Sequence, residues 1–332
     1  MWFERLTGFP EKSPQQVRAN LILEGPVLRS QVNQNCLVCG KLEIPSLGEL
    51  REQVQTSGYK SGTISVREVV ADVQDLHRNL ANAGALFQVA SQFNLLEMAS
   101  PDITPEQGVS IYQHDRTQGP ACAVAAGAGT IYRNYFASVN GQIGQSANNQ
   151  IDCLADVGAA LDNSENRLWV MKNGYALASQ RGLEEISQRL QAASETELDE
   201  LRQQLRIGIQ WYTQVTLENA KHKVSQAYCS ALPVAYSRYP AQLWETFARL
   251  ILEASYEATL CAAILNSVNA GTNQLFLTLL GGGAFGNDTD WIMAGIQRAL
   301  DLYRQVDLDV AIVSFRSPNP DVQKLIQQMH NA

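Results

Sequence analysis

Apolar residues along the chain follow two periodicities, which predict two kinds of element. Alternating or short continuous apolar runs, typical of strands, occupy the segments 62–70, 85–94, 207–217, 224–236, 275–280 and 308–315. Apolar positions spaced by three or four residues, typical of amphipathic helices, occupy 46–55, 183–206, 241–268 and 291–305. Because strands and helices alternate through the second half of the chain, the pattern predicts a layered α/β domain.

A more polar region interrupts this alternation between residues 140 and 206. Asn173-Gly174 lies between two short apolar runs and is the favoured pair for a two-residue type I′ turn, which predicts a β-hairpin. The amphipathic helix that follows is broken near Ser194, whose side chain can cap a second helix together with Glu197, three residues further on. The region is therefore predicted to contain a hairpin followed by helices.

These patterns suggest how the chain is organised. Residues 1–60 mix short strand-like runs with turn residues, and we predict that they form an N-terminal extension. Residues 61–332 are predicted to form the main domain, in which residues 140–206 are a hairpin-plus-helix insertion.

Composition and charge exclude several classes of protein. The 332 residues are 45% hydrophobic and 17% charged, as in ordinary soluble globular proteins. A formal net charge of −8 without a Lys/Arg cluster argues against nucleic-acid binding, which needs a basic face. The N-terminus has no signal-peptide core and no run is long enough to span a bilayer, so we expect a cytoplasmic protein without a membrane partner. The histidines are scattered and only Cys36 and Cys39 form a C-x-x-C pair, so we expect neither a metal nor a cofactor.

The stretch "LFLTLLGGGAFGNDTDW" (275–291) joins a predicted strand to a predicted helix through three consecutive glycines. Gly281, Gly283 and Gly286 match G-x-G-x-x-G, but a Rossmann loop lies in the first βα turn, whereas this loop is the penultimate connection. Glycines still allow backbone N–H groups to converge on an anion, and the following helix N-terminus adds partial positive charge. An acidic protein can bind a diphosphate in this way. The alternative is a tight turn whose glycines only supply positive φ.

With its flanks, this loop resembles the second phosphate loop of macrodomains, the ADP-ribose-binding fold. "YEATLCAAILNSVNAGTNQLFLTLLGGGAFGN" is similar to the family's late helix, strand and loop, in which an aromatic residue lies between small ones. "VVADVQDLHRNLANAGALFQVASQFN" resembles the family's opening strands, and "PACAVAAGAGTIYRNY" its first phosphate loop and helix. The matches occur in the family's order and cover 62–136 and 207–316. The resemblance implies a three-layer α/β/α macrodomain-like fold with a mixed sheet.

The resemblance also implies ligand-binding residues. Asp72 matches the aspartate that binds adenine, although a turn or helix-capping role is the alternative. Asn94 matches the asparagine that holds the distal ribose, and Gly127 and Gly129 match the glycines of the first phosphate loop. Phe315 can stack on adenine or belong to the core. The second loop supplies the remaining ligand residues: Gly281, Gly282, Gly283, Ala284, Phe285, Gly286 and Asn287.

Hydrolysis at the distal ribose passes through an oxocarbenium-like transition state, which requires a carboxylate. Many hydrolytic macrodomains carry an acid in the first glycine loop, but residues 120–131 contain none. The candidates are Asp288 and Asp290, just beyond the second loop, and Glu97. Helix capping is the alternative for the two aspartates, and a solvated loop position is the alternative for Glu97. For Asp115, a surface salt bridge is the better interpretation.

Three functional hypotheses remain open. The first is a macrodomain-type hydrolase that releases ADP-ribose from a mono-ADP-ribosylated protein side chain. The second is a reader module that binds ADP-ribose without turnover, and the third is a phosphate loop for another nucleotide. "FNLLEM", "YCSALPVAY" and "GGGAFGN" also resemble the effector-type branch that removes ADP-ribose from ubiquitin arginine, which makes ADP-ribosylated ubiquitin the expected protein partner.

Overall fold

A computed structural model of the chain describes residues 1–218 and 220–331. The helices are α1 (Trp2–Thr7), α2 (Pro14–Asn20), α3 (Leu47–Thr56), α4 (Val73–Arg78), α5 (Gln118–Ala125), α6 (Gly127–Tyr135), α7 (Ala155–Ala160), α8 (Gln180–Ala192), α9 (Glu195–Gln204), α10 (Ala241–Ala270), α11 (Thr289–Leu302) and α12 (Pro320–Asn331). The strands are β1 (Leu21–Glu24), β2 (Val27–Ser30), β3 (Cys36–Val38), β4 (Lys41–Glu43), β5 (Ser65–Val70), β6 (Leu86–Ala90), β7 (Ser138–Val139), β8 (Gln142–Ile143), β9 (Trp169–Lys172), β10 (Tyr175–Ala178), β11 (Gly208–Gln214), β12 (Lys223–Cys229), β13 (Gln274–Leu277) and β14 (Asp309–Ser314). Among the described residues, no helix combines the length and apolarity needed to cross a membrane.

A seven-stranded sheet forms the centre of the molecule, with the strand order β4-β11-β12-β6-β13-β14-β5. Neighbouring strands from β12 to β5 pair in parallel, whereas β11 is antiparallel to both β12 and β4. The sheet is therefore mixed. Since the five parallel strands run in one direction, their carboxyl ends meet at a single edge of the sheet.

Helices cover both faces of this sheet. Phe87 of β6 stacks on His77 of α4, with ring centroids 3.8 Å apart. The next residue, Gln88, donates from Nε2 to Thr259 Oγ1 of α10 over 2.9 Å. Because successive strand residues point to opposite faces, α4 and α10 lie on opposite sides of the sheet. The predicted three-layer α/β/α arrangement with a mixed sheet is confirmed.

Residues 1–60, predicted as an extension, contribute to the main sheet and its helices, whereas residues 140–206, predicted as an insertion, contain a separate hairpin. Strands β1 to β3 form a small sheet of their own, but β4 and α3 also lie within residues 1–60. β4 is an edge strand of the main sheet, and Arg51 of α3 forms an ion pair with Glu257 of α10 at 2.5 Å. Within residues 140–206, β9 and β10 form the predicted hairpin, with positive φ at Asn173 and Gly174. The predicted capping box at the start of α9 is also present.

One predicted loop is wrong. The small-residue stretch at 120–131, expected to be the first phosphate loop, lies in α5 and the start of α6, with only Ala126 between the two helices. Its small residues allow close packing: a Cβ on Gly127 would lie 2.6 Å from the Trp2 ring, and one on Gly129 would lie 2.9 Å from Gln210 Cγ. Contacts with α1 and β11 therefore explain the glycines.

Candidate active site

A cavity of about 150 Å³ opens at the carboxyl edge of the sheet, beside β6, β12 and β13. Strands β6 and β13 pair over only two residues each and then separate. The side chain of Gln118, at the start of α5, takes the place of the missing strand: it donates to Gln88 O over 2.8 Å and accepts from Ala90 N over 2.9 Å. A crevice at the carboxyl ends of separating strands is where open α/β sheets bind ligands.

The glycine loop after β13 forms one wall of this cavity through Gly281, Gly283, Ala284 and Phe285. Gly281 has φ of +78°, and a Cβ there would lie 2.4 Å from Ala231 Cβ. At Gly283 neither packing nor a positive φ requires glycine, because a Cβ there would meet no atom within 4 Å and would project into open space. The first position needs glycine for the backbone, whereas the second leaves the backbone accessible.

Several amide groups of this loop are unpaired. The N–H groups of the same four wall residues donate to no acceptor among the described residues. The loop is held in shape by other bonds, from Asn287 N to Gly281 O at 3.0 Å and from Gly286 N to Gly283 O at 3.1 Å. A closed loop with free N–H groups beside a cavity can bind an anion without a lysine or arginine.

The end of the loop anchors it and starts α11. Asn287 is buried and donates from Nδ2 to Leu232 O over 2.8 Å. Asp288 caps the helix by accepting from Asp290 N over 2.9 Å. Both aspartates are exposed and lie off the cavity wall. The capping alternative therefore fits Asp288, and neither aspartate lines the cavity.

Glu97 is the predicted catalytic candidate that does line the cavity. Its side chain is buried, and its Oε1 has no hydrogen-bond partner among the described residues. Burial raises the pKa of the Glu97 carboxyl well above its usual range, and the positive charge of Arg133 opposes this shift. A Cβ on Gly119 would lie 2.3 Å from Glu97 Oε2, so only glycine at the start of α5 leaves room for the carboxyl group. The solvated-loop alternative for Glu97 is wrong.

Asp115 is a second carboxylate on the same wall. Its Oδ1 accepts from Thr117 N over 2.8 Å and from Thr117 Oγ1 over 2.7 Å, directly before α5. It forms no ion pair with Arg116 or with any other described residue, so the surface salt bridge expected from the sequence is absent there. Because Asp115 is half-buried in the cavity and Glu97 is fully buried, the two acids lie in different environments.

Three aromatic residues also line the cavity and pack against one another. Tyr175 from the hairpin insertion packs against Tyr236 and Phe285, with ring centroids 5.0 and 5.3 Å away. The Tyr175 hydroxyl donates to Met98 O over 2.6 Å, next to Glu97. The sequence does not predict Tyr175 or Tyr236 as site residues, because only the tertiary fold brings the hairpin and the short 3₁₀ turn that carry them to the cavity.

Seven of the eleven predicted ligand residues do not line the cavity: Asp72, Asn94, Gly127, Gly129, Gly282, Gly286 and Asn287. Asn94 is fully buried, donates to Gln150 Oε1 over 2.9 Å and accepts from Leu96 N over 3.1 Å. Gly127 and Gly129 lie inside α6, against the N-terminal helix and β11, so their assignment to a phosphate loop is wrong. The part of this region that lines the cavity is the start of α5 and the residues just before it.

Asp72 and Phe315 lie further along the same edge of the sheet, outside the cavity. Asp72 follows β5, caps α4 by accepting from Gln74 N over 2.8 Å, and is exposed. Phe315 follows β14 and is 61% exposed, so the core alternative for it is wrong. A bond from Ala71 N to Ser314 O at 3.1 Å joins the two segments and places both residues at one corner.

No protein-family model matches the chain, and no curated protein sequence matches it significantly. The fold is similar to the crystal structure of poly(ADP-ribose) glycohydrolase from Deinococcus radiodurans in complex with ADP-ribose. The identity is 12%, the TM-score is 0.44, and the match covers 87% of this chain and 94% of that one. It is also similar to poly(ADP-ribose) glycohydrolase from Thermomonospora curvata bound to the inhibitor ADP-HPD, at 12% identity and a TM-score of 0.44, over 95% and 97% of the two chains. A likeness of this degree assigns neither ligand nor activity to this chain.

Proposed function

We propose that this protein is a hydrolase that releases ADP-ribose from a mono-ADP-ribosylated protein side chain. One observation carries the proposal: the glycine-loop residues with unpaired amides and the buried Glu97, whose Oε1 has no hydrogen-bond partner among the described residues, line the same cavity. Free backbone N–H groups suit a diphosphate, and a buried acid suits cleavage of the adjoining glycosidic bond. The macrodomain-like sequence segment that ends in the glycine loop supports the same ligand.

The ligand is assigned along the carboxyl edge of the sheet. The diphosphate lies on the loop at Gly281 to Phe285, and the distal ribose enters the cavity. At about 150 Å³ the cavity is below the roughly 300–1,000 Å³ of sites that enclose a drug-sized ligand, so it suits one sugar rather than a whole dinucleotide. The adenine extends to the corner formed by Asp72 and Phe315, where a carboxylate and an exposed ring can meet it.

Two carboxyl groups in different environments can divide the chemistry. Glu97, whose raised pKa favours the protonated form, donates its proton to the departing atom of the protein side chain. The proton is transferred as the bond between that atom and C1″, the anomeric carbon of the distal ribose, breaks. Asp115, as a carboxylate, stabilises the positive charge that develops on the ribose and takes a proton from the attacking water. The water oxygen becomes bonded to C1″. Proton return from Asp115 to Glu97 through solvent then restores both groups, so one water is consumed for each ADP-ribose released.

A reader module is the second candidate, because the free amides of the loop are sufficient for binding and residues 120–131 carry no acid. The protein partner is an ADP-ribosylated protein, and ubiquitin is the partner implied by the effector-type resemblance. Hydrolase and reader both require ADP-ribose to bind, whereas a phosphate loop for another nucleotide does not.

Calorimetric titration with ADP-ribose, with AMP and NAD as comparators, tests the ligand. We expect Gly283→Val to abolish binding, because the new side chain projects into the space above the loop amides. The matched control is Gly48→Val in α3, where a Cβ would make ordinary contacts 3.5 Å away. If the folded Gly283→Val protein binds ADP-ribose as well as the control does, the loop is not the diphosphate site.

A further inference from the structure

A buried positive charge acts on Glu97. Arg133 of α6 is 1% exposed, and its guanidinium lies 3.6 Å from the centre of the Tyr228 ring. Its hydrogen-bond acceptors are neutral: Leu95 O at 3.1 Å, Thr130 Oγ1 at 3.1 Å and Gln210 Oε1 at 3.4 Å. No carboxylate in the described part of the chain forms an ion pair with it. Burial of a cation without such a partner is costly, so its position calls for a reason beyond packing.

The contact with Leu95 reaches the loop that carries Glu97. Leu95 has φ of +63°, which is uncommon for a residue with a branched side chain. Its side chain fills the space left by Gly208 of β11, where a Cβ would lie 2.3 Å from Leu95 Cδ1. Strained backbone of this kind persists only where the surroundings fix it. The bond from Arg133 Nε is one of the contacts that hold the chain two residues before Glu97.

The charges around Glu97 are few. Six ionisable groups interact electrostatically with Glu97. They are Asp115, Tyr112 of the 3₁₀ turn just before Asp115, Cys122 of α5, Arg133 of α6, Tyr175 of β10 and Tyr228 of β12. Arg133 is the cation in this set. Burial and the Asp115 carboxylate both raise the pKa of Glu97, and Arg133 is the group that lowers it.

We propose that Arg133 is a positioning residue for Glu97: it holds the turn at Leu95 and supplies the positive charge that lets the buried carboxyl group exchange its proton within the cavity. The inference rests on the catalytic role proposed for Glu97. Without this charge, the Glu97 acid would hold its proton to higher pH and donate it less readily.

Two substitutions separate charge from hydrogen bonding. Arg133→Lys keeps the charge, and Arg133→Gln keeps a donor for Leu95 O without the charge. The titration of Glu97 is followed by NMR of isotope-labelled glutamate side chains, which requires no substrate. We expect the midpoint for Glu97 to move to higher pH in Arg133→Gln and to stay close to wild type in Arg133→Lys. The pH profile of ADP-ribose release should move in the same direction.

Arg202→Gln is the matched control, because Arg202 is also buried but pairs with Glu195 and Glu253 away from the cavity. It should lower stability without moving the Glu97 titration. A Glu97 midpoint in Arg133→Gln equal to that of wild type overturns the inference. If the titration moves but no ADP-ribose is released by any form, the coupling stands and the proposed hydrolase activity fails.

If Arg133→Gln does not fold, the stability of a double variant tests the coupling between Arg133 and Glu97 instead. At alkaline pH the double variant Arg133→Gln with Glu97→Gln should fold, because it no longer buries the Glu97 charge without a compensating cation. If the double variant is also unfolded, the coupling is contradicted, because removal of the Glu97 carboxylate then fails to restore the stability lost with Arg133.

Discussion

Among individual residues, Glu97 gives the clearest dependence on pH. Burial raises its pKa in the folded state above the value in the unfolded chain. The folded protein therefore holds this proton more tightly, and the associated stability is present below the unfolded pKa and is lost as pH rises through the folded pKa. We expect the melting temperature of wild type to fall over this range by more than that of Glu97→Gln. Parallel melting profiles for the two proteins would mean that the carboxyl group is not buried as described.

At the level of elements, substitutions of Asp288 at the start of α11 distinguish a helix-capping role from a catalytic one. Asp288→Asn should keep most of the cap, whereas Asp288→Ala should lower the free energy of unfolding by about 1 kcal/mol. Neither change should alter the rate of ADP-ribose release, because Asp288 is exposed and off the cavity wall. Thermal melts and release assays on both variants check this. An Asp288→Asn protein that melts normally but is inactive would show that Asp288 has a catalytic role.

Elements specified by local signals were predictable from the sequence. The hairpin at Asn173 and the break at Ser194 follow from turn and capping chemistry that acts over a few residues. The first phosphate loop expected at 120–131 is wrong, because Gly127 and Gly129 there pack against Trp2 and Gln210, which are distant in the sequence.

The candidate site likewise combines residues that have a local sequence pattern with residues that only the tertiary fold brings together. The glycine loop has a local sequence pattern, and four of its residues line the cavity. Asn94 also matched a local pattern, but its side chain is bonded to Gln150 of the insertion. Asp115 and Tyr175 belong to the site only because distant segments fold over the same sheet edge. Residues that meet through tertiary structure alone leave no pattern in a single sequence.

For the whole molecule, net charge and site chemistry together predict how binding responds to salt. The chain carries a formal charge of −8, and the cavity is lined by no lysine or arginine among the described residues. Long-range repulsion should slow the approach of an anionic ligand, and salt should screen that repulsion. We expect the association rate of ADP-ribose to rise with ionic strength. Stopped-flow measurements over a range of salt concentrations test this, and a steep fall in affinity with salt would instead indicate phosphate contacts from lysine or arginine.

Release of ADP-ribose from modified side chains is the most direct test of the proposed hydrolase. Peptides ADP-ribosylated on arginine, serine or an acidic residue are incubated with wild type and with Glu97→Gln, and ADP-ribose affinity is measured for both proteins. We expect wild type to release ADP-ribose from at least one linkage. The Glu97→Gln variant should bind ADP-ribose as well as wild type does, yet release it more slowly by a factor on the order of 10²–10⁴. Tight binding by wild type without release from any linkage would make the protein a reader, and full activity of Glu97→Gln would remove Glu97 from the mechanism.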